Sequence, residues 1–468
     1  MQFAMIRRCT LWSAIAVLFL SAGIVRSEDW PQWLGANRDG VWREKGILKK
    51  FPEGGPKVLW RTPIAAGYSG PAVADGKVYI TDRQLAKEAA NPESPFSRGK
   101  VPGNERVLCL DEKTGKILWT HAYNCPYQVS YAAGPRTTPA VDGDRVYTLG
   151  TMGDLKCLSV KDGKEIWAKK LTKVYKCETP LWGFSGHPLI DGDRLICLVG
   201  GKGSLVVCFD KYTGKEVWKN LDFRESGYAP PMIFTIADKR QLIMWHPEGV
   251  HSLNPKTGEV YWYQRFPRTG ALRANMSIPT PRYEDGRLFV SCFYNGSMML
   301  KLDETGMKPT VLWQDTRIAV FPDQTTGLHC VMSTPFVEND HIFGVGSYGE
   351  LRCLEADTGK RLWKTFEPTS GKEPVRWANA FLVKHETKYF IFNENGDLVI
   401  AHLSPKGYQE WDRAKIITPT NQMVNGKKFR FDRRPVVWTH PAFANRCIVV
   451  RNDNEIIRIS LAEDQVKE

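Results

Sequence analysis

Arginine, tryptophan, histidine and asparagine recur in this chain at one kind of place, the few residues that run into a short strand that usually begins with proline. Arg136, Arg273 and Arg376 stand there, as do Trp182, Trp377 and Trp438. His187 and His440, and Asn275 and Asn379, hold equivalent positions. Guanidinium groups grip carboxylate or phosphate through paired N–H donors, and indole faces stack on planar groups. The set therefore points to an anionic, planar or extended ligand. The plainer alternative is a plug whose side chains satisfy one another, with Glu178 and Glu225 as counter-ions. Acid–base or metal chemistry would need carboxylates in the same segments, and Glu178, Glu225 and Asp323 are the candidates. They come in no order that builds a metal cage. Ser185-Gly186-His187 has no nucleophile-elbow context, so no catalytic residue and no metal ligand is assigned.

The elements that position these residues are repeats. Gly-x-x-x-Trp occurs at Gly115–Trp119, Gly163–Trp167, Gly214–Trp218, Gly258–Trp262, Gly359–Trp363 and Gly407–Trp411. Gly306–Trp313 is a longer version, and Trp60 is an eighth Trp without the Gly. The Trp residues are spaced like the ~40–50 residues of a propeller blade. Within a unit, period-two strands alternate with turns: Thr138–Val141, Arg145–Leu149, Leu155–Val160 and Lys164–Ala168. Asp-Gly pairs at 75, 142, 191 and 285 fall at the first hairpin, where type I′ turns need positive φ. Thr439 to Ala462 supplies three strands and then lacks a fourth, while Lys57-Val58-Leu59-Trp60 is a fourth strand with nothing before it. Joining the two closes an all-β, eight-bladed β-propeller of four-stranded antiparallel blades and removes its open edges. The divisions are 1–27, a signal peptide; 28–56, an N-terminal extension; 57–462, the propeller; and 463–468, a C-terminal tail.

Blade one is longer than its siblings, and the excess reads as a loop over Arg83 to Arg106. Cys109, Cys157 and Cys353 share a core position in their repeats. Cys125 and Cys177 sit in the loops after two successive Trp strands, and a disulfide between them is expected if those loops are neighbours.

At the N-terminus Arg7 and Arg8 precede an apolar run from Leu11 to Ile24, and Val25-Arg26-Ser27 offers a cleavage site. An uncleaved anchor is the alternative, disfavoured because the run is shorter than the ~20 residues that span a bilayer. Cys9 precedes the apolar run, so lipidation at the cleavage site is not supported. A periplasmic or secreted monomer without a transmembrane segment is expected. The formal charge of +13 suits anionic partners, but no run of five basic residues occurs and nucleic acid is not an expected partner.

Leu110-Asp111-Glu112-Lys113-Thr114-Gly115-Lys116-Ile117-Leu118-Trp119 resembles the tryptophan-docking motif of the pyrroloquinoline quinone (PQQ) repeat. Phe209-Asp210-Lys211-Tyr212-Thr213-Gly214 and Ala356-Asp357-Thr358-Gly359 are similar to it, as is the opening Asp29-Trp30-Pro31-Gln32-Trp33-Leu34-Gly35 to exported bacterial PQQ-like proteins. The resemblance implies a propeller with each Trp packed on the next blade. It also implies one of two functions. One is a BamB-like binding or scaffold module that takes a protein partner or an anionic small ligand. The other is a PQQ-dependent dehydrogenase with PQQ and Ca²⁺ at the channel mouth. The chain lacks the adjacent Cys-Cys pair and the Cys-x-x-Cys-His haem site of many such enzymes, which favours the scaffold; no cofactor is assigned.

Overall fold

The middle strands of each repeat are apolar at nearly every position, and such a strand is stable only when both faces are covered. The computed structural model, which describes residues 28–223, 226–267, 276–315, 321–427 and 430–466, covers them. Arg287–Cys292 and Lys388–Asn393 are buried along their whole length. The outermost strand of blade one, Ile117–Asn124, instead alternates exposed and half-buried side chains. Eight four-stranded antiparallel sheets result, and they form the expected propeller. The leader read over 1–27, together with Glu225, Arg273 and Asn275, lies outside the described residues. Among the described residues no helix is long and apolar enough to cross a membrane.

Ring closure follows the strand count. Val58–Pro63 pairs antiparallel with Glu455–Ser460, placing Thr62 opposite Ile456. Ala442–Ala444 and Cys447–Arg451 complete blade eight. In four blades the docking Trp is cross-strand from a core cysteine, Trp119 from Cys109, Trp167 from Cys157, Trp218 from Cys208 and Trp363 from Cys353. One residue bulges out just before it, so that the Trp ring is aimed at the next blade. Trp119 lies over Gly163, where a Cβ would come within 2.5 Å of the ring and where φ is +71°. Its Nε1 donates to the Val160 carbonyl at 3.0 Å. Trp60 docks in the same way on blade one, donating to Glu112 O at 2.8 Å. Trp262 reaches blade five through a relay, donating to Gln241 Oε1 at 3.0 Å while Gln241 Nε2 donates to Gly306 O at 2.8 Å.

Blade seven corrects one of the repeat matches. Asp412 pairs with Ile400 and Glu410 with Ala401, so Trp411 is itself the bulged residue. Its turn is shorter, with Ser404 opposite Gly407, so that Gly407 begins the strand instead of forming a docking turn. The reason lies next door. Blade eight joins the two ends of the chain and has no third-to-fourth turn for a Trp to dock on. Trp411 stacks on His402 of its own blade, 6.0 Å away at 5°. The N-terminal extension seals this seam instead: Phe51 N donates to Asp412 Oδ2 at 2.6 Å, and Lys388 Nζ to Leu48 O at 2.6 Å.

Four further expectations change. The excess of blade one is partly regular, because its second and third strands lengthen to Lys77–Leu85 and Gly103–Asp111, leaving a loop of 86–102. At Asp142 and Asp191 the Asp closes the strand and the next two residues turn, since Asp142 pairs with Arg145 and Asp191 with Arg194. Only Asp75 and Asp285 have the positive φ of a type I′ turn. A hairpin of Asn421–Lys427 and Arg430–Val436, which the repeat pattern does not announce, rises between blades seven and eight. The Cys125–Cys177 disulfide is absent: both thiols are free and buried. They belong to separate clusters, Cys125 with Tyr127 and Val129, Cys177 with Leu171, Phe184 and Cys197.

Candidate functional site

Eight innermost strands leave a central channel, and the residues entering them form a collar around it. Gly70 allows a close approach of blades one and eight: a Cβ there would sit 2.5 Å from the His440 carbonyl. Thr138 N donates to His187 Nδ1 at 2.9 Å, and Thr334 Oγ1 lies 3.2 Å from Thr280 Oγ1.

One end of the channel is stopped by the N-terminal extension, which crosses the ring on the side of the first hairpin turns. Trp30 exchanges backbone hydrogen bonds with Val73 of blade one, and Pro31 O accepts from Val141 N of blade two at 2.9 Å. Trp33 then enters the channel. It lies flat on His187, with 3.9 Å between centroids and 12° between planes, and its Nε1 donates to Thr280 Oγ1 at 3.0 Å. Arg38 follows in left-handed backbone and donates to three carbonyls, His187 at 3.3 Å, Pro188 at 3.0 Å and Pro231 at 3.3 Å. Among the described residues no carboxylate pairs with it, and burial lowers its pKa to about 9. Burial likewise holds His187 well below 6.5 and His440 at about 4, so both imidazoles are neutral. This floor differs from a plug of strand-entry residues neutralised by Glu178 and Glu225, because it is made chiefly by a segment that carries no repeat.

The other end is open. A cavity of about 610 Å³ lies above Trp33, under the fourth-to-first connections and the second-to-third turns. Trp182, Trp377 and Trp438 line it together with Tyr68, Tyr131 and Tyr228. Phe96, from the 86–102 loop of blade one, leans across the mouth and meets Tyr131 edge-on at 5.6 Å and Trp377 of blade seven at 5.9 Å. Its segment is held by main-chain groups, with Tyr131 N donating to Pro95 O at 2.6 Å and Ser130 Oγ to Phe96 O at 3.1 Å. Tyr131 and Trp377 both have left-handed backbone, φ 59° and 63°, a costly state for bulky residues that concentrates at ligand seats.

The arginines separate in role. Arg136 turns back on its own loop, donating to the carbonyls of Gly134, of Ser130 at 3.0 Å and of Tyr131 at 2.5 Å. Arg376 lies over the Trp377 ring at 4.9 Å, with a long 3.5 Å contact to Tyr294 Oη, and its Nε is buried without a partner. Arg434, from the extra hairpin, pairs with Glu394 at 3.0 Å, while its Nε and Nη1 have no partner. Glu394 also accepts from Trp438 Nε1 at 2.7 Å, and burial raises its pKa to about 7. Arg136, Trp182, His187, Arg376, Trp377, Trp438 and His440 all line the cavity. Asn379 stands just outside it, buried. Sequence reasoning missed Trp33, Phe96 and Tyr131, whose one signal was aromatic content in segments outside the repeat.

PQQ with Ca²⁺ would need an oxygen-rich cradle. Among the described residues no Asp or Glu lines the cavity, and no three of His, Cys, Asp and Glu are grouped to hold a metal. Glu178 and Asp323 are exposed and away from the wall. The described residues do not fit that cofactor.

The sequence profile described as outer membrane protein assembly factor BamB matches residues 52–227, 103–365 and 201–466. The outer membrane protein assembly factor BamB of Moranella endobia is 26% identical over 292 residues, 60% of this chain and 67% of that protein. Quinohemoprotein alcohol dehydrogenase ADH IIB of Pseudomonas putida is 27% identical over 165 residues, 34% of this chain and 21% of the enzyme. The crystal structure of BamB from Moraxella catarrhalis shares the fold, with a TM-score of 0.50 at 18% identity, covering 86% of this chain and 98% of that one. The chain spans about two thirds of the length of the curated BamB relatives it matches.

Proposed function

The chain belongs to the family of the outer membrane protein assembly factor BamB, and on that premise we propose that it is a non-catalytic scaffold that binds a protein partner. It works as an exported monomer on the periplasmic side. Its leader pattern and the naming of its relatives for outer-membrane assembly support that placement. The observation that carries the reading is the cavity itself. A blind cup walled by aromatic rings, with no carboxylate among its described lining residues, offers apolar contact area and no acidic side chain to serve as a base or hold a metal. Large rigid aromatics around a desolvated pocket are what binding hot spots are made of.

The test is reconstitution. Protein incubated with PQQ and Ca²⁺ and then dialysed is expected to show neither the quinone absorbance nor stoichiometric calcium, and no dye-linked alcohol oxidation. A photo-crosslinking residue in place of Trp182 is expected to give a discrete protein adduct in the native cell envelope. Stoichiometric retention of both PQQ and Ca²⁺ would overturn the scaffold in favour of the quinoprotein dehydrogenase.

A further inference from the structure

Three observations at the mouth bear on what it takes. The first is charge. Arg136 and Arg376 line the opening, Arg434 stands beside them with its Nη2 donating to Arg376 O at 3.2 Å, and Glu394 pairs with Arg434 and Trp438. The Nε of Arg376 and the Nε and Nη1 of Arg434 are buried donors with no acceptor. Buried N–H groups of a cation left unpaired are costly, and an incoming anion satisfies them. The second is shape: an apolar cavity of about 610 Å³ is large enough for an aromatic side chain beneath the rim. The third is that the chain already shows how a peptide sits here. Glu93-Ser94-Pro95-Phe96 runs over the rim with the Pro95 and Phe96 carbonyls taken by Tyr131 N and Ser130 Oγ, and the Phe96 ring set edge-on against Tyr131 and Trp377.

We propose that the mouth is a peptide site for an acidic segment of a partner protein, which inserts an aromatic side chain into the cup and places its carboxylates against Arg376 and Arg434. This rests on the scaffold reading and names the chemistry of the partner. The loop of blade one occupies the upper edge of the same seat with a segment of similar composition, an acid three residues before an aromatic. The cup below it remains open to a second aromatic ring. Held main-chain carbonyls mark a peptide and not a lipid headgroup, whose phosphate would need the cations alone.

A random peptide library displayed on phage and panned on the full protein tests this. Enriched sequences are expected to carry Trp, Phe or Tyr flanked by Asp or Glu, and a synthetic peptide of that sequence is expected to quench the tryptophan fluorescence of the cup. Its affinity should fall roughly tenfold or more in Arg376→Gln, the loss of one charged hydrogen bond. It should fall comparably in Trp182→Ala and decline steeply as salt rises. Thermal melts of both variants separate lost binding from lost fold, and the salt dependence of the unaltered protein stands whether or not they fold. Enrichment of basic sequences, affinity indifferent to salt, or binding to phosphatidylglycerol vesicles that the peptide does not compete away would overturn the proposal. Each of these outcomes leaves the reconstitution test of the scaffold reading untouched.

Discussion

At the floor of the channel Trp33 lies flat on His187 and Arg38 donates to three carbonyls, whereas at the mouth Trp377 sits in left-handed backbone under an Arg376 whose Nε has no partner. The same residue types are present at both ends. What differs is where their partners come from. At the floor the chain supplies acceptors and stacking surfaces from several blades, so the tryptophan and arginine act as a stopper. At the mouth less is met: Arg38 leaves its Nε unpartnered, whereas Arg434 leaves both Nε and Nη1, and Arg376 leaves its Nε and keeps one long contact of 3.5 Å to Tyr294. Arg, His and Trp are therefore ambiguous evidence of a binding site until the acceptors around them are known.

The most drastic way to break this contrast is to remove the floor. Deleting residues 28–62 takes away the stopper and the closing strand together, and cooperative unfolding in heat or urea is expected to disappear because a whole blade loses its edge. A truncated protein that melts as sharply and as high as the intact one would show that neither is needed. A finer cut compares one residue type at both ends. Trp33→Ala should cost ~3–5 kcal/mol by urea denaturation, the usual loss for a well-packed buried indole. Trp377→Ala should cost less, about 1–2 kcal/mol, since its half-buried ring gives up less contact on truncation. Equal losses would erase the distinction between stopper and seat.

Protons should sharpen the contrast, because the two ends titrate in opposite senses. The floor histidines have depressed pKa values in the fold, so between pH 6.5 and about 4 the unfolded chain binds the extra protons. Stability is then lost on acidification at about 1.4 kcal/mol per pH unit for each histidine. At the mouth Glu394 is raised to about 7, so from there down to 4.5 the folded state takes up the proton first and acidification stabilises. Glu394→Gln should therefore steepen the acid loss seen in a melting series from pH 7 to 5. An unchanged slope would mean that the mouth carboxylate titrates as in water. A seam remote from both ends sets the scale for ordinary packing. Gly163→Ala, forced against Trp119 at positive φ, should cost about 2 kcal/mol, and Gly407→Ala, which meets no neighbour but keeps a φ of +150°, about 1 kcal/mol.

Most of the ring was legible in the primary structure because repeats announce themselves: Trp positions, strand periodicity and the orphan strand at Val58 sufficed to count blades and close them. Trp411 shows the limit. Its spacing from Gly407 matches the motif, but spacing does not reveal which residue a bulge ejects, and that depends on a turn in the neighbouring blade. The Cys125–Cys177 pairing failed for a related reason, since position after a Trp does not decide which core a thiol enters. Seven of the ten residues read as the site do line the cavity. The floor stayed hidden because residues 28–56 repeat nothing, and its Trp30, Trp33 and Trp42 were the only cue that an apparent extension is buried. Phe96 was hidden for the same reason.

Closure by Val58–Pro63 also has a consequence in time. That strand is synthesised about 390 residues before its partner, Glu455–Ser460. At the ~5–20 residues per second of protein synthesis, it waits roughly 20–80 s with its edge exposed. The stopper waits with it, because the collar it fills is not complete until blade eight exists. The growing chain can build blades one to seven as it emerges, but ring, floor and cup come into being together at the last step. A ribosome that stalls in the final blade therefore releases a chain with two open edges and an unstoppered channel. Quality control would meet that species as an aggregation-prone arc, whereas a chain cut short by a few residues in the tail would pass as finished.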